Sequence, residues 1–282
     1  MTKFPRGGAR GARDCWPFRP ARGIMARHGG CGNATGRPLM TVKCSECPLR
    51  ALPGYKSFTE SDLAVTTRLK RGELRVERGT PILTEGSHSA QLFTVLEGMG
   101  LRYKSLAEGD RQVLSFVFPG DFIGLQAAVM EEMEHSVEAA STMRLCVFDR
   151  ADLRRLYTDA PDRAFDLTWI AAEEEVMLSE ALAAIGQQSA RTRIAWGLLR
   201  LLQRGETSGL VENGAIALPF RQRDLADALG LSPVHTNKML AALREDGIAS
   251  WRDGRLVVHD RAGLAGAAGI SEDAPPRPRP LM

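Results

Sequence analysis

The sequence contains no run of roughly eighteen apolar residues, which excludes an ordinary membrane-spanning helix. Five cysteines in 282 residues are too few for a disulfide framework, and no secretory signal is visible, so a reducing cytoplasm is the expected compartment. Histidine is scarce, at five. The chain has no phosphate-cradling loop, no His-Glu-x-x-His and no Gly-x-Ser-x-Gly, so no familiar catalytic constellation presents itself. The acidic run Glu173-Glu174-Glu175 falls in a helical pattern and reads as a solvated helix face rather than a metal site. No internal repeat is evident. A basic body is missing too. The formal net charge is +3, but residues 1–40 alone hold eight Lys or Arg against one acidic residue, so the remainder carries −4. Any nucleic-acid binding must therefore come from geometry and a few placed residues. What remains is a soluble globular composition, 44% hydrophobic and 25% charged, with chain enough for two domains.

Residues 1–39 are rich in Gly, Arg and Pro without apolar periodicity, and read as a disordered or untranslated tail, with Met40 as an alternative start. Thr59 and Asp62 form a capping-box-like helix start. The period then changes to two. Short alternating runs at 74–76, 81–83, 92–96, 100–104, 112–118 and 143–148 are separated by Gly79, Gly86, Gly98, Gly109 and Gly120. Such spacing predicts a small all-β roll or barrel. A helix starts at Asp152 and is interrupted by Pro161. From Arg163 to about Ile185 runs the longest helical pattern of the chain, suited to lying on the roll or pairing with a second copy. Gly186 and the following Gln187-Gln188-Ser189 read as a hinge, and another apolar helix spans 191–203.

The most informative stretch is 219–258. Leu225, Ala226 and Leu229 make one apolar stripe, Gly230 offers a helix stop, Ser232 an N-cap, and Pro233 a first helical residue. In the second helix Thr236, Met239, Leu240 and Leu243 face a core, leaving Pro233, Val234, Asn237 and Lys238 outward. Ile248 to Trp251, the Asp253-Gly254 turn and Leu256 to Val258 predict a two-stranded wing. A helix with an outward N-terminal half fits the major groove of DNA.

This combination resembles the Crp/Fnr superfamily of bacterial transcription regulators, the Fnr/FixK-like branch in particular. The most specific pieces are Pro119-Gly120-Asp121-Phe122-Ile123-Gly124 and Asp224-Leu225-Ala226-Asp227-Ala228-Leu229-Gly230-Leu231-Ser232. The likeness covers about Cys44 to Asp260. It implies an α+β fold with a cyclic-nucleotide-binding-type β-roll at 40–160, a dimerisation helix at 161–186, a winged helix-turn-helix at 187–262, and a disordered tail at 263–282. It also implies a homodimeric, sequence-specific, cytoplasmic DNA-binding regulator, read here as an activator, that meets a pseudo-palindromic operator and RNA polymerase and no membrane. Base and phosphate contacts fall to Arg221, Arg223, Pro233, Val234, His235, Asn237 and Lys238.

Three departures from the family pattern shape the expected signal. In the nucleotide pocket, Gly124 is followed by Leu125 where the family has a ribose-binding Glu, and His135-Ser136 replaces its phosphate-binding Arg-Ser. The pocket is degenerate, and cyclic AMP is not expected to bind. In the reading helix, Val234 and Lys238 replace a Glu and an Arg, so the familiar target sequence does not carry over. Cys44, Cys47 and Cys146 match three of the four ligands of the oxygen-sensing branch's [4Fe–4S] cluster; the fourth falls near Pro53, which leaves Cys31 as the substitute. Zinc is another reading, through His28-x-x-Cys31 and Cys44-x-x-Cys47. A third is a buried Cys146 with an idle or redox-sensitive thiol pair. A ligand-binding regulatory protein for an attached enzyme is the competing class, but it predicts an intact pocket and no reading head. An enzyme is the third class, and it lacks a motif.

Overall fold

Thr59 opens the regular part of the chain. Its hydroxyl accepts from the Asp62 amide at 3.1 Å, and Asp62 answers the Thr59 amide at 2.9 Å, the reciprocal cap its sequence predicts. The computed structural model describes residues 41–271 and 278–282. The expectations for 1–39, His28 and Cys31 lie outside the described residues.

Helix α1 (Glu60–Leu69) leads into β1 (Lys70–Val76), β2 (Pro81–Leu83), β3 (Gln91–Glu97), β4 (Gly100–Ser105), β5 (Arg111–Val117) and β6 (Phe122–Ile123). A short helix α2 (Leu125–Met130) precedes β7 (Ser136–Ala139) and β8 (Met143–Asp149). The strands form two four-stranded sheets, ordered β1-β8-β3-β6 and β2-β7-β4-β5. Val95, Val117, Val137, Met143 and Leu145 are fully buried between them. This is the expected roll, with two additions. Alternation could not reveal β7, because Ser136, Val137 and Ala139 are all buried, and β6 is only two residues long.

After α3 (Leu153–Asp159), Pro161 does not interrupt a helix. It starts α4 (Pro161–Gln187), where its missing N–H costs nothing. At 27 residues α4 is about 40 Å long. Ala164, Leu167 and Ile170 bury its first half against the roll side of α3, while Phe165, Val176, Leu178 and Leu182 stay exposed. The break falls within the expected 186–189 stretch, at Gln188, whose backbone is extended, while Gly186 itself stays helical. Ser189 then caps α5 (Ala190–Thr207), accepting from Thr192 N at 3.2 Å.

The third body follows as β9 (Ala215–Ala217), α6 (Gln222–Leu229), α7 (Pro233–Glu245), β10 (Ala249–Arg252), β11 (Arg255–Val258) and α8 (Arg261–Ala268). Its core is α5, with Ile194, Ala195, Leu198 and Leu199 fully buried. No helix among the described residues is long and apolar enough to cross a membrane.

The expectation of disorder from 263 onward is corrected at both ends. Asp260 caps α8 by accepting from Gly263 N at 2.9 Å, and Leu264, Ala265 and Ala268 bury one stripe of it. Residues 279, 281 and 282 are buried in the roll lobe. A Pro-rich average concealed three residues, an Arg and two apolars, that find partners there.

Roll, long helix and third body meet at Pro119-Gly120-Asp121. Gly120 has φ 88°, and an added Cβ would lie 2.1 Å from the Tyr55 hydroxyl, so only glycine fits. That hydroxyl donates to Pro119 O at 2.5 Å, and Ser208 at the end of α5 donates to the same carbonyl at 3.1 Å. Asp121 is 4% exposed, accepts from Phe118 N at 2.9 Å, and pairs with Arg204 of α5 and with Arg279. Burial alone would raise the Asp121 carboxyl, but Arg204 and Arg279 outweigh it and hold the group well below the usual carboxylate range.

A group whose folded pKa is depressed stabilises the fold above its unfolded value of about 3.9 and loses that contribution as pH falls below it. Asp121→Asn should cost about 3–5 kcal/mol at neutral pH, because the buried Arg279 and the partly buried Arg204 guanidinium groups lose this counter-charge. In urea unfolding series it should also flatten the fall in stability below pH about 4. Wild-type stability at pH 7 would count against this reading of the junction.

Candidate nucleic-acid interface

The two helices α6 and α7 are joined by a turn that the sequence dictates residue by residue. Gly230 takes a left-handed conformation, φ 62°, and its amide closes α6 on Ala226 O. Ser232 Oγ accepts from His235 N at 3.2 Å, and Pro233 is the first residue of α7. Ala226 is fully buried, as close helix crossing requires, and Leu225, Leu229, Thr236, Leu240 and Leu243 form the common core.

That burial leaves one face of α7 open. Pro233, Val234, His235, Asn237 and Lys238 are all exposed, with Val234 at 80%. Five of the seven residues expected at base edges or phosphates thus share the N-terminal half of one helix. Arg221 and Arg223 are exposed at the start of α6, and Arg223 makes only a 3.9 Å contact with Asp227. The wing is present and larger than expected. Asp253 (φ 50°) and Gly254 (φ 71°) make the tight turn, and β9 adds a third strand in the order β10-β11-β9. Arg252 and Arg255 pair across the turn and are both exposed. Sequence reasoning misses them, although two arginines flanking an Asp-Gly turn are a visible signal.

The β-roll grips α6, not α7. Arg111 on β5 pairs with Asp224 and, at 3.3 Å, with Asp227. Gln112 Nε2 donates to the Asp227 carbonyl at 2.7 Å, and Phe116 meets Phe220 at 4.6 Å between ring centroids.

The degenerate pocket also comes together. Gly124, with φ 97°, precedes α2, so Leu125 opens a helix and packs toward the cluster of Leu92, Phe122 and Phe148. Ser136 is buried, and its hydroxyl already accepts from Glu85 N at 3.0 Å. His135 is half-buried rather than a free surface residue; burial, helped by the neighbouring Arg102, pushes its pKa down to about 4, so it is neutral at physiological pH. Arg102 itself is buried, donates to Phe122 O at 3.0 Å, and pairs with Glu174 of α4. The roll is thereby tied to the long helix by an internal ion pair.

Cys44, Cys47 and Cys146 are unbridged and line one small cavity together with Lys70, Leu281 and Met282. Burial pushes the Cys146 thiol up to about 11, against the opposing effect of Lys70, and raises Cys47 as well. The three sulfurs therefore share a wall, but among the described residues no group of three or more His, Cys, Asp or Glu is disposed to hold a metal ion. The further ligands read from the spacing, His28 and Cys31, lie outside the described residues.

Comparison with known proteins matches residues 73–160 to the cyclic nucleotide-binding domain and residues 192–267 to the Crp-like helix-turn-helix domain. The nitrogen fixation regulation protein FixK of Bradyrhizobium diazoefficiens is 26% identical over 228 residues, covering 80% of this chain and 93% of that protein. The transcriptional activator protein FnrL of Cereibacter sphaeroides is 24% identical over 240 residues, covering 84% and 96%. The solved structure of FixK2 from Bradyrhizobium japonicum superposes with a TM-score of 0.64 at 25% identity, over 72% of this chain and 98% of that one.

The exposure of Val234 yields a direct check. A side chain 80% exposed has little packing to lose, so Val234→Ala should change unfolding stability by less than about 0.5 kcal/mol. A loss well beyond that in thermal or urea unfolding would mean that Val234 packs within the module and is not available to a ligand.

Proposed function

Since this chain belongs to the Crp/Fnr superfamily of transcription regulators, in its Fnr/FixK-like branch, we propose that it acts as a homodimeric activator reading a pseudo-palindromic operator. It is a sequence-specific DNA-binding regulator and not an enzyme. The observation that carries the reading is the open face of α7, five exposed residues on a helix whose opposite face is wholly committed to the core. Val234, Asn237 and Lys238 are assigned to base edges, and Arg221, Arg223, Pro233 and His235 to the backbone or the groove wall. Two protomers then meet half-sites about 34 Å apart, one turn of the duplex. The exposed apolar residues Phe165, Val176, Leu178 and Leu182 along α4 support a dimer through that helix. The name of FnrL as a transcriptional activator supports activation, with RNA polymerase as the further partner and the cytoplasm as the compartment.

The signal in this reading is something other than cyclic AMP. Leu125 offers no acceptor to a ribose hydroxyl, and a neutral His135 offers no fixed charge to a phosphate. Oxygen or redox chemistry at Cys44, Cys47 and Cys146 is the alternative input. A [4Fe–4S] cluster there would need a fourth thiolate such as Cys31, whereas a thiol-based response needs only the three cysteines that share the cavity.

Lys238→Ala should cost about 1–3 kcal/mol on the preferred duplex and relax base preference at one position per half-site. Fluorescence titration against specific and random duplexes separates the roles; an equal loss on both would reduce Lys238 to a phosphate contact. Titration calorimetry with cyclic AMP should give no binding heat, and micromolar affinity would overturn the assignment of Leu125 and His135 to the pocket.

A further inference from the structure

Residues 279–282, in a segment whose composition suggests nothing but disorder, are among the most completely engaged in the roll lobe. Arg279 adds to the backbone of the segment before α1 as a parallel bridge opposite Tyr55. Its amide donates to Gly54 O at 2.9 Å, and its carbonyl accepts from Lys56 N at 2.8 Å. The guanidinium, 2% exposed, pairs with Asp121, and its Nε lies 2.8 Å from Glu173 Oε2 in an ion contact rather than an aligned hydrogen bond. Arg163, itself buried and held by Asp166 at 2.7 Å, donates to Leu281 O. Thr94 Oγ1 donates to Met282 O at 2.6 Å. Leu281 packs with Leu49, Tyr55 and Leu96, and Met282 with Phe148, Leu156 and Leu167.

These contacts have the form of peptide recognition: main-chain pairing for affinity, a charged slot for one side chain, and apolar slots for two others. With the segment in place, Arg163, Asp166, Asp121 and Thr94 are all at least nine-tenths buried, and Arg163 and Asp166 also hold each other at 2.7 Å. Leu281 and Met282 also form part of the wall of the cavity that holds Cys44, Cys47 and Cys146. Asp121, which fixes Arg279, is the same carboxylate that fixes Arg204 on α5 of the reading body.

We propose that the roll lobe carries a peptide-binding groove whose resident ligand is the extended segment Arg279-Pro280-Leu281-Met282, and that its occupancy closes the three-cysteine cavity. The ligand class is an extended Arg-Pro-apolar-apolar peptide. The groove is independent of which operator the reading helix recognises. Release of the segment opens the cavity, exposes Cys47 and Cys146, and removes one of the two arginines from Asp121.

Labelling with a maleimide, read residue by residue by mass spectrometry, tests this on the full-length chain. Loss of a buried charged hydrogen bond raises the open fraction, so Arg279→Gln should label Cys47 and Cys146 about tenfold faster than wild type. The triple variant R279Q/L281A/M282A, which empties the groove, should label faster still. A synthetic peptide of residues 275–282, added to the triple variant, should slow labelling again, and the same peptide with Gln in place of the residue-279 Arg should not. Wild-type rates in Arg279→Gln, or acceleration in the triple variant that the peptide leaves unchanged, would overturn the proposal. Should the triple variant fail to fold by circular dichroism, the labelling rate of Arg279→Gln decides alone.

Discussion

The structure turns on a single buried carboxylate. Asp121 sits where the roll ends one sheet, and it accepts from its own turn, from α5 and from residue 279 at once. A charge in such a place is tolerated only because every neighbour answers it: desolvation costs several kcal/mol per ion, and the two guanidinium groups offset rather than exceed that cost. The net gain in stability is therefore modest. What the cluster fixes is geometry. With Asp121 ionised, Arg204 ties α5 to the roll at this turn, beside the Phe118–Phe220 contact at 6.2 Å. Without it, the apolar contacts between lobes would still attract, but many relative orientations would serve them equally well.

The same logic recurs at each junction of the roll with the rest. Arg102 reaches Glu174 on α4, Arg111 reaches Asp224 and Asp227 on α6, and Arg204 reaches back to Asp121. Inside each lobe the fully buried contacts are mainly aliphatic, Val95, Val117 and Leu145 in the roll and Ile194, Leu198 and Leu225 in the reading body, although the roll lobe also buries the pairs Lys70–Glu73 and Arg163–Asp166. Apolar cores are packed to one arrangement, whereas breaking an ion pair at a boundary leaves a charge uncompensated, so the boundary pairs fix how the lobes meet. The lobes are thus held by packing and their junctions by charge.

Much of this is legible in the sequence because local chemistry and tertiary role agree there. Thr59 and Asp62, Gly230, Ser232 and Pro233 each solve a local backbone problem that only one or two residue types can solve, and each stands where the fold needs it. The outward face of α7 is legible for the same reason: Thr236, Leu240 and Leu243 state which side is buried. What escapes is structure without a local signature. Strand β7 is buried on both faces and shows no alternation, and Gly186 could end a helix yet does not, because a single glycine costs only about 1 kcal/mol inside a well-packed one. The ordered residues 279–282 escape because their partners lie more than a hundred residues upstream, and a window average over prolines cannot register them.

The nucleotide pocket ties the two themes together. In a lobe built to respond to a bound anion, the anion would bridge the roll and the long helix, and its removal would loosen them. Here that bridge is made internally, by Arg102 between the Phe122 carbonyl and Glu174, beside a histidine kept neutral by burial. A nucleotide entering this site would have to displace a satisfied ion pair and leave at least one buried charge unpaired, a cost that the contacts available from Leu125 and Ser136 do not offset. The roll has kept the shape of an anion sensor while its own side chains supply the charge. Elsewhere in the lobe, three thiols share a cavity whose wall includes Leu281 and Met282.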